Sequence, residues 1–362
     1  MEKQYRKQTD LLPKGWREAA KSEKAIQRSG RYIKTAEDLL KVDFLYLTEG
    51  ASFGQTAALL QITGEYPLTK NAVYERVINS GDWLKWMCEH LCRENGYIAE
   101  KPEWLEEYRV CLVDATNASR PGSSGADYRL HYLIELFHLN MVEMHLTSAA
   151  EGETITRYQK LKEKDLILGD RAYGRVKGIT YAKKHHADYI FRLKADAFTL
   201  YTEEHEKFDL AKCLEEEWAP GKQLDLHLYY QDGNGYSPVR VCALGKTMEQ
   251  IKKSERQIKK SNRQKMRGKI SPLQAVFNRF VVVITSLPDN ISAGQIFQLY
   301  RMRWQIEMVF KRMKSIFDMR NLTSFNDRSV FAWFYGKLLL SGICEILVNR
   351  GPFSPAENQE FF

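Results

Sequence analysis

Three acids occupy positions where a carboxylate can do chemistry. Asp114 closes the apolar run VCLVD and Asp170 closes DLILGD, so both side chains should project from strand ends at one edge of a sheet. Taken singly, an acid at a strand end serves more often as a turn-former or helix cap than as a ligand, and both roles stay open here. The third acid, Glu307, lies in the helical stretch YRMRWQIEMVFKRMKSIF. There Leu299, Met302, Ile306, Val309, Met313 and Ile316 step by three and four and form one buried stripe. Tyr300, Arg303, Glu307, Lys311 and Lys314 step the same way one residue later, on a stripe about 100° round the helix. A carboxylate flanked by cations thus faces the edge of a core. The plain reading of this helix alone is a surface with i,i+4 ion pairs such as Arg303 with Glu307.

The elements around these residues must bring them together. Three strand-like segments, VCLVDAT, RLHYLIELFHL and NMVEMHLTSA, are followed by a helix over TITRYQKLKEK, the strand DLILGD, a helix over VKGITYAKKHH and the strand ADYIFRL. Antiparallel strands followed by alternating helices and strands predict an α/β mixed sheet with helices on its faces, which offers a site at its strand ends. From about 196 to 275 the rhythm changes. LDLHLYY and PVRVCAL flank QDGNGYS, a hairpin signal, and RFVVVITSL then returns as a strand before a long helix from about Ser292 to Phe317. Residues 1–105 read as helical, and ASFGQTAALLQI with LTKNAVYERVI, joined by TGEYP with Thr69 as N-cap, scans both as a helix-turn-helix and as an ordinary helical hairpin. FAWFYGKLLLSGICEILV, broken by Lys337 and Glu345, suits a helix that covers the core or joins two protomers, and not a membrane anchor.

Composition narrows the classes. The 362-residue chain carries a net charge of +8, from 54 Lys and Arg against 46 Asp and Glu. Nine basic residues and one acidic residue fall between Lys252 and Lys269, so that segment alone accounts for the whole excess. Such local basicity suits a polyanionic backbone better than an ordinary solvated face. The charged N-terminus lacks the apolar region of a signal peptide and no long charge-free run is present, so a soluble, cytoplasmic protein without membrane partners is expected. Six dispersed cysteines are expected to stay reduced. Cys88, His90 and Cys92 approach metal spacing but have no second pair nearby, which argues against zinc.

Tyr300, Arg303, Glu307 and Lys314 reproduce the spacing Y(2)R(3)E(6)K, which resembles the signature of bacterial insertion-sequence transposases of the insertion sequence four family. Asp114 in VDAT resembles the first catalytic motif of that family, and Asp170 in GDRAYG its second, an Asp followed by a small residue and an aromatic, here Ala172 and Tyr173. The resemblance covers roughly residues 108–317. It implies an RNase H-like mixed sheet with flanking helices, a β-rich insertion before the last catalytic helix and a helical N-terminal domain. The corresponding division is a DNA-binding region at 1–105, a catalytic core at 106–195 and 276–350, a basic β-rich insertion at 196–275 and a tail at 351–362.

By the same resemblance, Asp114, Asp170 and Glu307 are the catalytic acids and hold two Mg²⁺, with Mn²⁺ as a substitute, Asp114 bridging the pair. Tyr300, Arg303, Lys311 and Lys314 are expected to contact DNA. The implied reaction is cut-and-paste transposition on double-stranded DNA: nicking at the terminal inverted repeats, a hairpin, its opening, then strand transfer into target DNA. A homodimer in the synaptic complex and association with the bacterial nucleoid follow from that reaction. Trp218 is open to two readings, a stacking platform for an extruded base or a packing residue. Two other functions share parts of this pattern. A structure-selective nuclease on the same core needs the acids but not the Tyr-Arg-Lys stripe, and an inactive DNA-binding remnant needs only the helices and the basic segment.

Overall fold

The computed structural model describes residues 9–27, 30–48, 50–94, 101–119, 124–137, 140–264, 270–303 and 326–349. Among the described residues the N-terminal region contains the helices α1 (Trp16–Ser22), α2 (Ala36–Thr48), α3 (Phe53–Ile62), α4 (Lys70–Asn79) and α5 (Gly81–Glu94). Ser52 and Gln55 form a capping box on α3, and the Thr69 hydroxyl accepts from the Ala72 amide at the start of α4, in keeping with its position before the helix.

The strands β1 (Arg109–Ala118), β2 (Tyr128–Glu135) and β3 (Asn140–Ser148) form an antiparallel meander. The segment after β3 departs from expectation. Only the 3₁₀ turn Ile155–Arg157 forms where the sequence predicts a helix. Ile155, Tyr158 and Leu161 are buried, and their spacing of three mimics one face of a helix. The backbone instead runs as a strap: Lys160 N–H donates to Glu143, its carbonyl accepts from Arg109, and the Tyr158 hydroxyl reaches the Tyr132 carbonyl.

The chain continues through β4 (Asp165–Gly169), α6 (Val176–Lys184) and β5 (Asp188–Arg192), then the short β6 (Leu200–Tyr201) and β7 (Lys207–Phe208), α7 (Leu210–Glu216), and the hairpin of β8 (Gln223–Asp232) and β9 (Gly235–Gly245). The basic segment forms α8 (Met248–Gln264) as far as it is described, followed by α9 (Pro272–Asn278) and β10 (Phe280–Thr285). A further helix, α10, spans 293–303 at the edge of the described residues, and α11 (Asp327–Asn349) is the last element.

Among the described residues ten strands make one mixed sheet in the order β3-β2-β1-β4-β5-β10-β9-β8-β6-β7. β1, β4 and β5 run parallel, while β10 is antiparallel to both β5 and β9. Consequently β9 points the same way as β1, β4 and β5, and the C-terminal ends of all four reach one edge. The hairpin of β8 and β9 extends this sheet and does not build a second one.

Each face is covered. Val110, Leu112, Leu166, Leu168, Ile190 and Val283 pack beneath α10, with Ile296, Leu299 and Tyr300. Val113, Ile167, Tyr189, Phe191 and Ile284 face the other way, toward Ile179 and Ala182 of α6 and Leu214 of α7. α11 packs against the N-terminal helices and against Leu130, Tyr132 and Ile134 of β2, so it covers the core within one chain. Fully burying each such aliphatic side chain contributes about 1.5–3 kcal/mol, which is enough to hold this edge in one geometry. No described helix is long and apolar enough to cross a membrane.

Candidate active site

The register of the parallel strands decides where the acids stand. Arg109 pairs with Asp165 at the start of β1 and β4, and Leu112 pairs with Leu168. Asp114 and Asp170 each lie two residues beyond that last pair, so neighbouring strands, about 4.8 Å apart, carry the two carboxylates in one row. Side chains alternate along a strand, and Asp114 and Asp170 therefore fall on the face of Leu112 and Leu168, the face that α10 covers. Arg192 extends the row. Gly169 pairs with Phe191, and the next residue on each strand is Asp170 and Arg192.

A buried ion pair holds this register from the opposite end. The Arg109 Nε donates to Asp165 Oδ1 at 2.7 Å and a terminal nitrogen donates to Oδ2 at 2.7 Å, with the Asp165 side chain wholly buried. The pair sits five residues before Asp114 and Asp170, so fixing one end of the strand pair fixes the other.

Local bonds orient each acid. Tyr132 is the cross-strand partner of Asp114, and its hydroxyl donates to Asp114 Oδ2 at 2.9 Å. Its ring in turn lies 6.2 Å from that of Phe334 on α11. Asp170 opens a turn in which its Oδ1 accepts from the Ala172 amide at 2.7 Å and its carbonyl from the Tyr173 amide at 3.2 Å. Tyr173, 2% exposed, anchors the turn in the opposite core, and burial pushes its phenol well above the ordinary range. Two glycines let the turn pack directly on its neighbours. A Cβ at Gly174 would meet the Arg192 carbonyl at 2.6 Å, and one at Gly178 would meet the Tyr173 carbonyl at 2.4 Å.

On α10, Tyr300 and Arg303 are both buried, with the Arg303 guanidinium 4.8 Å from the Tyr300 ring centre. Arg303 lines a cavity of about 390 Å³ together with Asp170. The structure thus assembles Asp114, Asp170, Tyr300 and Arg303 at one edge. Glu307, Lys311 and Lys314 lie outside the described residues. Trp218 packs partly buried against the core of the α6 face.

Three cations in that cavity were not singled out from the sequence: Arg171, Arg192 and Lys246. Burial first, and the neighbouring Arg192 second, push Arg171 down to about 10. Lys246 follows β9, and its ammonium donates to the Asn278 carbonyl at 2.9 Å. Burial, reinforced by Arg192 and Arg171, lowers it to about 7. A signal for them existed. Arg192 and Lys246 end or follow apolar strands as Asp170 does, but the parallel direction of β9 could not be inferred before the strand order was known.

Carboxylates in one row suit a hard divalent cation, since such ions take oxygen ligands and two adjacent negative charges repel without one. Among the described residues no three acids, histidines or cysteines group as a complete metal site, and Asp114 with Asp170 supplies two oxygen donors toward one.

Comparison with known proteins now decides the family. A family model described as the transposase DDE domain matches residues 105–342. The chain belongs to this family. It is 26% identical over 326 residues to the putative transposase InsL for insertion sequence element IS186A of Escherichia coli K12, covering 88% of this chain and 86% of that protein. It is likewise 26% identical over 327 residues to the transposase for IS421 of Escherichia coli, and 25% identical over 358 residues to the transposase for IS1151 of Clostridium perfringens, of which 75% is covered. The resemblance to insertion-sequence transposases drawn from the motifs therefore holds, and the mixed sheet is the RNase H-like core of a DDE transposase. The protein is a DNA transposase, an enzyme of a family that generally depends on divalent metal.

Proposed function

We propose that this transposase moves its element by cut-and-paste at the edge where β1, β4, β5 and β9 end, with Asp114, Asp170 and Glu307 as the acids that hold two Mg²⁺. The single observation that carries this reading is the shared row and face of Asp114 and Asp170 beneath the helix that leads to Glu307. Bound there, such ions activate a water or a 3′-hydroxyl and neutralise charge on the leaving oxygen. Mn²⁺ satisfies the same oxygen donors.

In this reading the chain supplies orientation and charge. Tyr132 fixes the Asp114 carboxylate and the Ala172 amide fixes that of Asp170. Tyr300, Arg303, Lys311 and Lys314 hold phosphates beside the scissile bond, where guanidinium and ammonium donors both fit a phosphodiester. Nicking at the terminal inverted repeat frees a 3′-hydroxyl that attacks the opposite strand as a hairpin, which is opened before strand transfer into the target. The N-terminal helices 1–105 read the element end, the core comprises 106–195 and 276–350, and the basic insertion 196–275 tracks the DNA flank. Two copies hold two ends in a synaptic homodimer, on nucleoid DNA.

The test is cleavage of a labelled duplex that carries the inverted repeat flanking the coding sequence, with Mg²⁺ or EDTA, for wild type and Glu307→Ala. Metal-dependent nicks and hairpins at the repeat boundary that vanish in the variant support the reading. Binding without cleavage by either protein removes it.

A further inference from the structure

Arg171, Arg192, Lys246 and Arg303 converge on the cavity beside Asp170, which is the acid among its described lining residues. Among the described residues, Arg171, Arg192 and Lys246 face one carboxylate there, an excess of positive charge in a partly buried setting. The guanidinium ion pairs among the described residues belong to Arg17, Arg109, Arg157 and Arg240, so Arg171 and Arg192 are held together without a salt-bridged acid. Lys246 is tied to a neutral carbonyl, that of Asn278. Such a cluster is costly to assemble unless an anion completes it.

The far wall comes from the basic insertion. Ser254 and Gln257 of α8 line the cavity, and the Ser254 hydroxyl donates to Asn278 Oδ1 at 2.7 Å. Asn278 also accepts from Lys246 through its carbonyl. α8 is therefore fastened to the same residue that positions the lysine, so the basic helix and the pocket form one surface. A second depression shares Arg171 and Arg192 and adds Arg175 together with Lys194, which is paired with Asp196.

We propose that Arg171, Arg192 and Lys246, backed by Gln257 of α8, bind a backbone phosphate of the DNA strand next to the scissile bond, on the side of Asp170 away from Asp114. This deepens the function proposed above, because it rests on the reaction taking place at the Asp170 edge. The insertion then acts on substrate through Lys246 and α8 together. Lys246 is drawn into its charged form once the phosphate arrives, since the anion outweighs the two neighbouring guanidiniums.

The experiment is a cycle between protein and DNA, read as binding in EDTA. The duplex carries the flanking inverted repeat with one uncharged methylphosphonate placed at successive positions around the element end. For wild type, one position near the boundary should weaken binding about tenfold. Lys246→Met and Arg192→Gln should weaken the unmodified duplex by a similar factor, lower the salt slope by about 0.9 for each phosphate no longer neutralised, and show no additional weakening at that one position. Thermal melting confirms that each variant is folded, and Arg192→Gln carries the test if Lys246→Met is not. Effects that multiply at every position, or an unchanged salt slope, overturn the proposal. So does millimolar inorganic phosphate that stabilises wild type while duplex binding ignores both variants, since the pocket would then serve a free anion. Failure of the carboxylate reading looks different: wild-type cleavage that persists in Glu307→Ala leaves this binding cycle untouched.

Discussion

The Tyr132 hydroxyl donates to Asp114 Oδ2 at 2.9 Å from the position directly opposite it on the neighbouring strand. The phenol is fully buried, so the bond orients the carboxylate from a fixed base. Loss of such an orienting partner typically costs 10–100-fold in metal affinity or activity. Tyr132→Phe should fold, because the ring remains, and should need roughly tenfold more Mg²⁺ for half-maximal cleavage. A Mg²⁺ titration of repeat-end cleavage checks this, and an unchanged midpoint would show that Asp114 is oriented without Tyr132.

Asparagine separates the two jobs of each aspartate. Asp170→Asn can still accept from the Ala172 amide and Asp114→Asn from the Tyr132 hydroxyl, so the turn and the cross-strand bond survive. The charge that would hold the metal is lost. Both variants should bind repeat DNA in EDTA like wild type and cleave it at least about 10³-fold more slowly, equivalent to about 4 kcal/mol of barrier. Without metal, Asp114→Asn should melt at or above wild type because like-charge repulsion in the row falls, whereas Asp170→Asn removes the carboxylate that faces Arg171, Arg192 and Lys246 and should melt lower. Mg²⁺ should raise the melting temperature of wild type alone.

Register is the next link that a substitution can break. The Arg109–Asp165 pair locks β1 to β4 five residues before the two acids, and Asp165 is fully buried while Arg109 is partly exposed. Arg109→Met leaves a buried carboxylate without its cation. The full cost of breaking a buried pair is about 3–5 kcal/mol, and solvent access at Arg109 reduces this to about 1–3 kcal/mol. Urea unfolding should show a lower midpoint at an unchanged slope, and cleavage should fall more than the loss of folded protein explains.

Close packing at the second motif makes a different prediction. Gly174→Ala drives a methyl group to within 2.6 Å of the Arg192 carbonyl, a backbone atom that cannot swing aside. The turn bearing Asp170 must move away from β5, at a cost of about 1–3 kcal/mol. Because Arg171 and Arg192 lie on either side of that close approach, DNA affinity should fall along with thermal stability. Loss of one without the other would mean that the turn and the pocket move independently.

Much of this edge is legible without the structure. DLILGD reads as a strand ending in an acid, and Asp170 does follow β4 directly. VCLVD does not end at its acid, because β1 runs on to Ala118 along β2 and leaves Asp114 within the strand, just past the last pair of β1 with β4. The spacing of Tyr300 and Arg303 places both beside a buried stripe, as their burial on α10 shows. The strap at Ile155–Leu161 defeats a reading by periodicity because buried residues three apart look helical whichever backbone carries them. Arg192 and Lys246 escape notice for a topological reason. A cation at a strand end means little until two antiparallel pairings, β5 with β10 and β10 with β9, are known to return β9 to the direction of β5. Local pattern reveals faces and ends, whereas strand order decides which ends meet.

Lys246 links stability to function in opposite directions. Its folded-state value, lowered to about 7 from an ordinary 10.5, reflects burial first and the neighbouring Arg192 and Arg171 second, with Asp170 lining the same cavity as the opposing charge. Below pH 7 the lysine is charged in both states and the folded protein bears the whole cost. Between about 7 and 10.5 the unfolded chain holds a proton that the native state has released, so wild-type stability rises with pH across that window. Lys246→Met removes the cost but also the bond to the Asn278 carbonyl, for a net gain of about 1–3 kcal/mol at neutral pH or below. The variant should therefore melt higher than wild type at pH 6, by a margin that shrinks as pH approaches 10, while binding repeat DNA more weakly throughout. A constant margin, or a variant that melts lower at pH 6, would show that the ammonium is solvated and carries no strain in the folded protein.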